Sequence, residues 1–156
     1  MRGKSMFHLR ADLVESIVAH ARRDYPRKVC GQLLGLEGAS PERYVPMANA
    51  DDPAVQAYSW RFDPTEQLEV HRQALARGEV SLAAVHSHSR VPLRPMTDSG
   101  LPEAYPSPKD IEFMTLQPDI HFVIVALKGR DDTEPEVRSF CLTEAGEVAE
   151  DTLRVE

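Results

Sequence analysis

Cysteine is scarce in this chain of 156 residues, with Cys30 and Cys141 as the whole complement. Two thiols cannot make a disulfide scaffold, so the fold must rest on a packed core. Reduced thiols in a reducing compartment are the simpler expectation than one bridge. Long apolar runs are missing as well. The longest, residues 122–127, suits a buried strand and falls far short of the roughly 20 residues that span a membrane. Basic residues are outnumbered, 18 Lys and Arg against 25 Asp and Glu, for a net charge of −7. That balance argues against nucleic-acid binding and against docking on an anionic membrane. Residues 1–10 hold early basic side chains but no apolar stretch of the kind a signal peptide needs. The expectation is a soluble cytoplasmic protein.

What is present is an ordinary globular composition, 42% hydrophobic and 28% charged, at a length that suits one domain with a genuine core. Residues 6–9 read as a short strand. Asp12 stands where a helix N-cap would, ahead of Leu13, Val14, Ile17, Val18 and Ala21 at helical spacing, and Pro26 ends that helix. Residues 29–36 read as a central strand, with Gly31 marking a bulge or a close approach to the backbone. Strands are expected over 43–47 and 58–62. A helix follows from Pro64 to about Ala76, its stripe formed by Leu68, His71 and Leu75, and Gly78 stops it. Residues 81–88 form a strand that runs into a polar cluster, and 107–114 a helix. Residues 121–127 and 137–142 are further strands, and Ala145-Gly146-Glu147 turns into a last strand or tail. Helices and strands alternate along much of the chain, which makes this an α/β (α+β) sequence.

Two segments carry chemistry. In a strand, residues i and i+2 share a face, so His86 and His88 project together with Ser87 opposite, a common start for a divalent metal site. In Pro106-Ser107-Pro108-Lys109-Asp110, Ser107 as N-cap, Pro108 at the first helical position and Asp110 at the third make a capping arrangement that needs no function. The same arrangement points a hydroxyl and a carboxylate off one helix N-terminus. Folded back, Asp110 becomes a third ligand, and three protein ligands leave a tetrahedral zinc one position open.

HSH followed by PSPKD resembles the HxH…SxxD signature of the JAMM (MPN+ or JAB, Mov34-like) zinc metallopeptidases. The helix before Tyr25-Pro26 and the segment Cys30-Gly31-Gln32-Leu33-Leu34-Gly35 resemble the same family, in particular its bacterial branch of sulfur-carrier-protein cysteine peptidases. The resemblance implies one JAMM/MPN-like domain over 1–156, with a mixed, curved β-sheet flanked by helices in a cytidine-deaminase-like architecture. It also implies Zn2+ on His86, His88 and Asp110, with Ser107 donating to the oxyanion of the substrate. The implied reaction is hydrolysis of an amide or isopeptide bond at the C-terminal tail of a ubiquitin-like or sulfur-carrier protein. Homodimerisation stays open.

The chain departs from that pattern twice. Lys28 occupies the position of the family's general-base glutamate. An ordinary lysine, with a pKa of about 10.4, cannot accept a proton at neutral pH. Its charge also opposes a metal, by about 3 kcal/mol at about 5 Å and an effective dielectric of about 20. Glu103 is the first carboxylate to consider as a substitute, and Asp98 is near in sequence. The alternative reading is an impaired or inactive protein that binds the same partner without cleaving it. The second departure is residues 89–106, which form a loop longer than the family's usual spacer, where Arg90 and Arg94 are expected to help dock an acidic carrier. His8, His20, His71 and His121 have no companion at metal spacing and read as structural. Cys30 reads as a small strand residue and Trp60 as core packing.

Overall fold

The computed structural model describes residues 5–89 and 102–156. Strand β1 (Met6–Leu9) is followed by helix α1 (Ala11–Asp24), then β2 (Cys30–Gly35) and β3 (Arg43–Met47). Helix α2 (Pro64–Ala76), β4 (Val80–Ser89) and α3 (Pro108–Leu116) come next, then β5 (His121–Leu127), β6 (Glu136–Leu142), β7 (Val148–Glu150) and β8 (Thr152–Val155). Six strands form an open mixed sheet in the order β3-β2-β4-β5-β6-β7, and β1 pairs separately and in parallel with β8. Only β4 and β5 run parallel within the large sheet, and α3 lies on the connection between them. A parallel pair needs such a crossover. It brings the N-terminus of α3 to the C-terminal end of β4.

The sheet separates two cores. On one face Leu13, Ile17, Val18 and Ala21 of α1 pack with Val29, Leu33, Ala83, Val85, Val123 and Val125. On the other, Val70 and Ala74 of α2, Met114 of α3, Trp60 and Phe62 cover Cys30, Ala84, Phe122, Ile124 and Phe140. Strand β4 from Ala83 and strand β5 from Phe122 are buried on both faces, which is why the runs 82–85 and 122–127 are wholly apolar. Among the described residues no helix is long and apolar enough to cross a membrane.

Several local expectations are corrected. Arg10, not Asp12, is the residue ahead of α1; it offers no side-chain cap, and Asp12 sits in the first turn bonded to Arg10 (Nη2 to Oδ2, 2.8 Å). Residues 58–62 form no strand, only a lone bridge between Asn49 and Phe62, because the chain there turns back to deliver Trp60 and Phe62 to the core. In α2 the buried side is Val70 and Ala74, whereas Leu68, His71 and Leu75 are exposed. The close approach at Gly31 is made by β3. A Cβ there would stand 2.6 Å from the Val45 carbonyl oxygen and 2.5 Å from the Tyr44 ring, and the sheet's irregularity falls at Leu33/Leu34 instead.

Candidate metal centre

His86 lies opposite Cys30 in the β2–β4 ladder and next to Ile124 in the β4–β5 ladder, so strands on both sides fix its backbone. Ser87 turns to the other face, where its Oγ accepts the Val29 N–H (2.8 Å). His86 and His88 therefore emerge together on the α2/α3 side. The N-terminus of α3 reaches them through its capping box. Ser107 Oγ accepts the Asp110 N–H (3.1 Å), and Asp110 Oδ2 accepts the Ser107 N–H (2.9 Å). The same capping box aims the Asp110 carboxylate.

Three donor atoms meet there. His86 Nε2 is 3.0 Å and His88 Nε2 2.9 Å from Asp110 Oδ2, and the two nitrogens are 3.2 Å apart. A tetrahedral zinc with bonds of about 2.0–2.2 Å separates its ligands by about 3.3 Å, so the triangle has nearly the right size. Among the described residues this is the one group of His, Cys, Asp and Glu side chains that converges in this way. His86 and Asp110 are buried, and His88 is partly open.

The protonation pattern strengthens the fit. His88 Nδ1 lies 2.8 Å from the Glu103 carbonyl oxygen, which can only accept, so that nitrogen carries a proton and Nε2 is the atom turned toward Asp110. Burial lowers the pKa of the His86 imidazole, which the charge of Asp110 only partly offsets, and this favours its neutral, ligating form. His86 Nδ1 is buried and has no hydrogen-bond partner, so nothing fixes its tautomer as Glu103 does for His88. Burial alone would raise the Asp110 carboxyl, but His86 and His88 outweigh it and hold the group well below the usual carboxylate range.

Sequence reasoning missed one member of the site. Trp60 Nε1 donates to Asp110 Oδ1 (3.3 Å), and its ring stacks on His86 with centroids 4.9 Å apart and planes inclined by 21°. It packs in the core, as expected, but it also touches two of the three donor residues. No spacing rule links an isolated Trp at 60 to His86 or Asp110; the contact exists only through the fold.

Lys28 is buried, and its charge contributes to the lowering of His86, so it is not a solvated strand-edge residue. Glu103 reaches the site through its carbonyl. Arg90, Arg94 and Asp98 lie outside the described residues. His20 pairs with the Tyr44 hydroxyl (2.7 Å) and His121 with Asp151 (2.7 Å), while His8 lies 3.6 Å from a Glu156 carboxylate oxygen. Burial pushes the Cys30 thiol up to about 12, which removes it as a nucleophile at neutral pH.

The family description "prokaryotic homologs of the JAB domain" matches residues 10–98, a span that includes both histidines. The chain belongs to this JAB family. Among curated relatives, the CysO-cysteine peptidases of Mycobacterium tuberculosis and Mycobacterium bovis are 40% identical to it over 148 residues, or 94% of this chain and 89% of theirs. A Desulfitobacterium hafniense protein of known solution structure superposes with a TM-score of 0.73 at 28% identity, covering 97% of this chain and 93% of that one. A JAB1/MPN domain protein from Archaeoglobus fulgidus superposes at 0.52 with 15% identity, over 96% and 98% of the two chains, and shares the fold.

Proposed function

We propose that this JAB protein is a zinc-dependent peptidase that hydrolyses the amide bond between a terminal amino acid and the C-terminal tail of a sulfur-carrier protein in the cytoplasm. The observation that carries the reading is the triangle of His86 Nε2, His88 Nε2 and Asp110 Oδ2, with the proton of His88 on its far nitrogen. The names of the mycobacterial relatives support the substrate class. Two buried cysteines without a bridge suit a reducing compartment.

When bound, a divalent metal polarises a scissile carbonyl and lowers the pKa of water. The chain's own residues do the rest. Glu103 keeps the proton of His88 on Nδ1, and Trp60 occupies Asp110 Oδ1 so that Oδ2 faces inward. Ser107 Oγ accepts from Asp110 N–H, which leaves its own hydroxyl proton to donate to the developing oxyanion.

The test is metal analysis paired with turnover of a carrier–cysteine adduct. The expected result is one zinc per chain in the natural protein, and loss of both zinc and turnover in His88→Ala and Asp110→Ala. Full zinc uptake by both variants would falsify the ligand set. A second reading, a partner-binding protein that does not cleave, is favoured by Lys28, since an ammonium cannot take up a proton. The Lys28→Glu variant separates the two. Under the second reading only Lys28→Glu turns over. Under the first the natural protein turns over too.

A further inference from the structure

Lys28 has no task in the chemistry described so far, yet the fold holds it firmly. It stands two residues before Cys30, the ladder partner of His86. The pairing runs on beyond the strand end, because Val29 N–H donates to Ser87 Oγ (2.8 Å) and the Val29 carbonyl accepts from Ser87 N–H (3.0 Å). Val29 packs into the core on the α1 side. By alternation Lys28 belongs to the opposite face, that of His86 and His88. Its backbone is pinned at both ends: the N–H donates to the Gln56 carbonyl (2.7 Å), and its own carbonyl accepts from Asn49 Nδ2 (3.0 Å). Only 7% of the residue is exposed. The residue is thus held on the face that carries the candidate metal centre, and it is buried there.

The substrate explains why a cation would serve. This step rests on the peptidase reading above. When one terminal amino acid is removed, its free α-carboxylate lies only two bonds beyond the scissile nitrogen. Whatever orients the scissile carbonyl at His86, His88 and Asp110 therefore brings that carboxylate into the same cavity. An internal peptide bond has a neutral amide at that point. An ammonium offers three N–H donors, so it can take a substrate oxygen alongside a protein acceptor. We propose that Lys28 binds the free α-carboxylate of the terminal amino acid and thereby restricts cleavage to a single residue at a chain end. Lys28 is then a specificity-determining residue and takes no part in proton transfer.

The experiment measures binding to the zinc-loaded protein by calorimetry, with a pentapeptide ending in alanine and the same peptide as its C-terminal amide. An alanine end keeps sulfur off the metal. The acid is expected to bind about 10- to 100-fold tighter than the amide, the range for a hydrogen bond to a charged group. Lys28→Met should lose this preference, and Lys28→Arg, which keeps the charge, should retain it. Zinc content reports on folding in each variant, and if Lys28→Met takes up no metal, the Arg variant and the natural protein decide. Equal binding of acid and amide by the natural protein, or an undiminished preference in Lys28→Met, overturns the proposal. Those results with zinc uptake intact leave the peptidase reading standing, whereas a natural protein that takes up no zinc defeats that reading instead.

Discussion

Trp60 affects the site in two separable ways, by a hydrogen bond to Asp110 and by a ring stacked on His86. Trp60→Phe removes the first and keeps most of the second, since Phe62 and Phe113 still hold the aromatic cluster at 5.1 Å on either side. Groups that orient a metal ligand are typically worth 10- to 100-fold in affinity. The variant should therefore fold normally and bind zinc about 10- to 100-fold more weakly in a chelator competition. Zinc affinity equal to the parent's would show that the indole N–H has no orienting role. At this scale the sequence was informative about the histidines and the capping box, because short-range spacing places their side chains. It gave Trp60 only as core packing and said nothing of the Glu103 carbonyl, because both contacts join residues from separate parts of the chain. The Glu103 contact involves the backbone, which no side-chain pattern can announce.

Elements were legible where burial leaves one reading. The bounds expected for β5, 121–127, coincide with the strand because each of its last six residues is buried. Helix α2 was legible in extent but not in orientation. Leu68 and Leu75 make an apolar stripe as good as that of Val70 and Ala74, and only packing against β4 decides between them. The smaller pair wins, since Ala74 lets the helix approach the sheet closely. Gly31 shows the same limit in a strand: the sequence marked a close approach without saying that Tyr44 and the Val45 carbonyl make it. Gly31→Ala follows from that geometry. The ring can shift, but the carbonyl oxygen at 2.6 Å belongs to the β2–β3 ladder and cannot shift without breaking it. The expected loss of stability is about 1–3 kcal/mol in urea denaturation, the usual cost of overpacking a filled interior. Because Cys30, the residue before Gly31, pairs with His86, zinc affinity should fall as well. A variant as stable as the parent would mean that the β3 edge yields more easily than the ladder implies.

For the molecule as a whole, the two chain ends are joined to the sheet by one buried carboxylate. Asp151, between β7 and β8, accepts from Ser139 Oγ (2.6 Å) on β6 and pairs with His121 Nδ1 (2.7 Å) at the start of β5. It also takes a hydrogen bond from Ser5 Oγ beside β1. Three parts of the fold meet at this side chain, and none of this was visible as a motif, because residues 5, 121, 139 and 151 lie far apart in sequence and meet only through the pairing of their strands. Burial alone would raise the Asp151 carboxyl; His121, Ser139 and Ser5 outweigh it and leave the group below the usual carboxylate range. A carboxyl with a depressed folded-state pKa contributes stability that is present above its unfolded value of about 3.9 and is lost as pH falls through the folded one. Asp110 carries the same sign, so the test is a difference between variant and parent across pH. Asp151→Asn keeps the shape but not the charge. It should be less stable than the parent at pH 7 by about 1–3 kcal/mol, and its denaturation midpoint should fall less steeply below about pH 4. The two curves should thus converge on acidification. Parallel curves would mean that the cluster holds the chain ends by its hydrogen-bond geometry alone, with the charge of Asp151 contributing nothing.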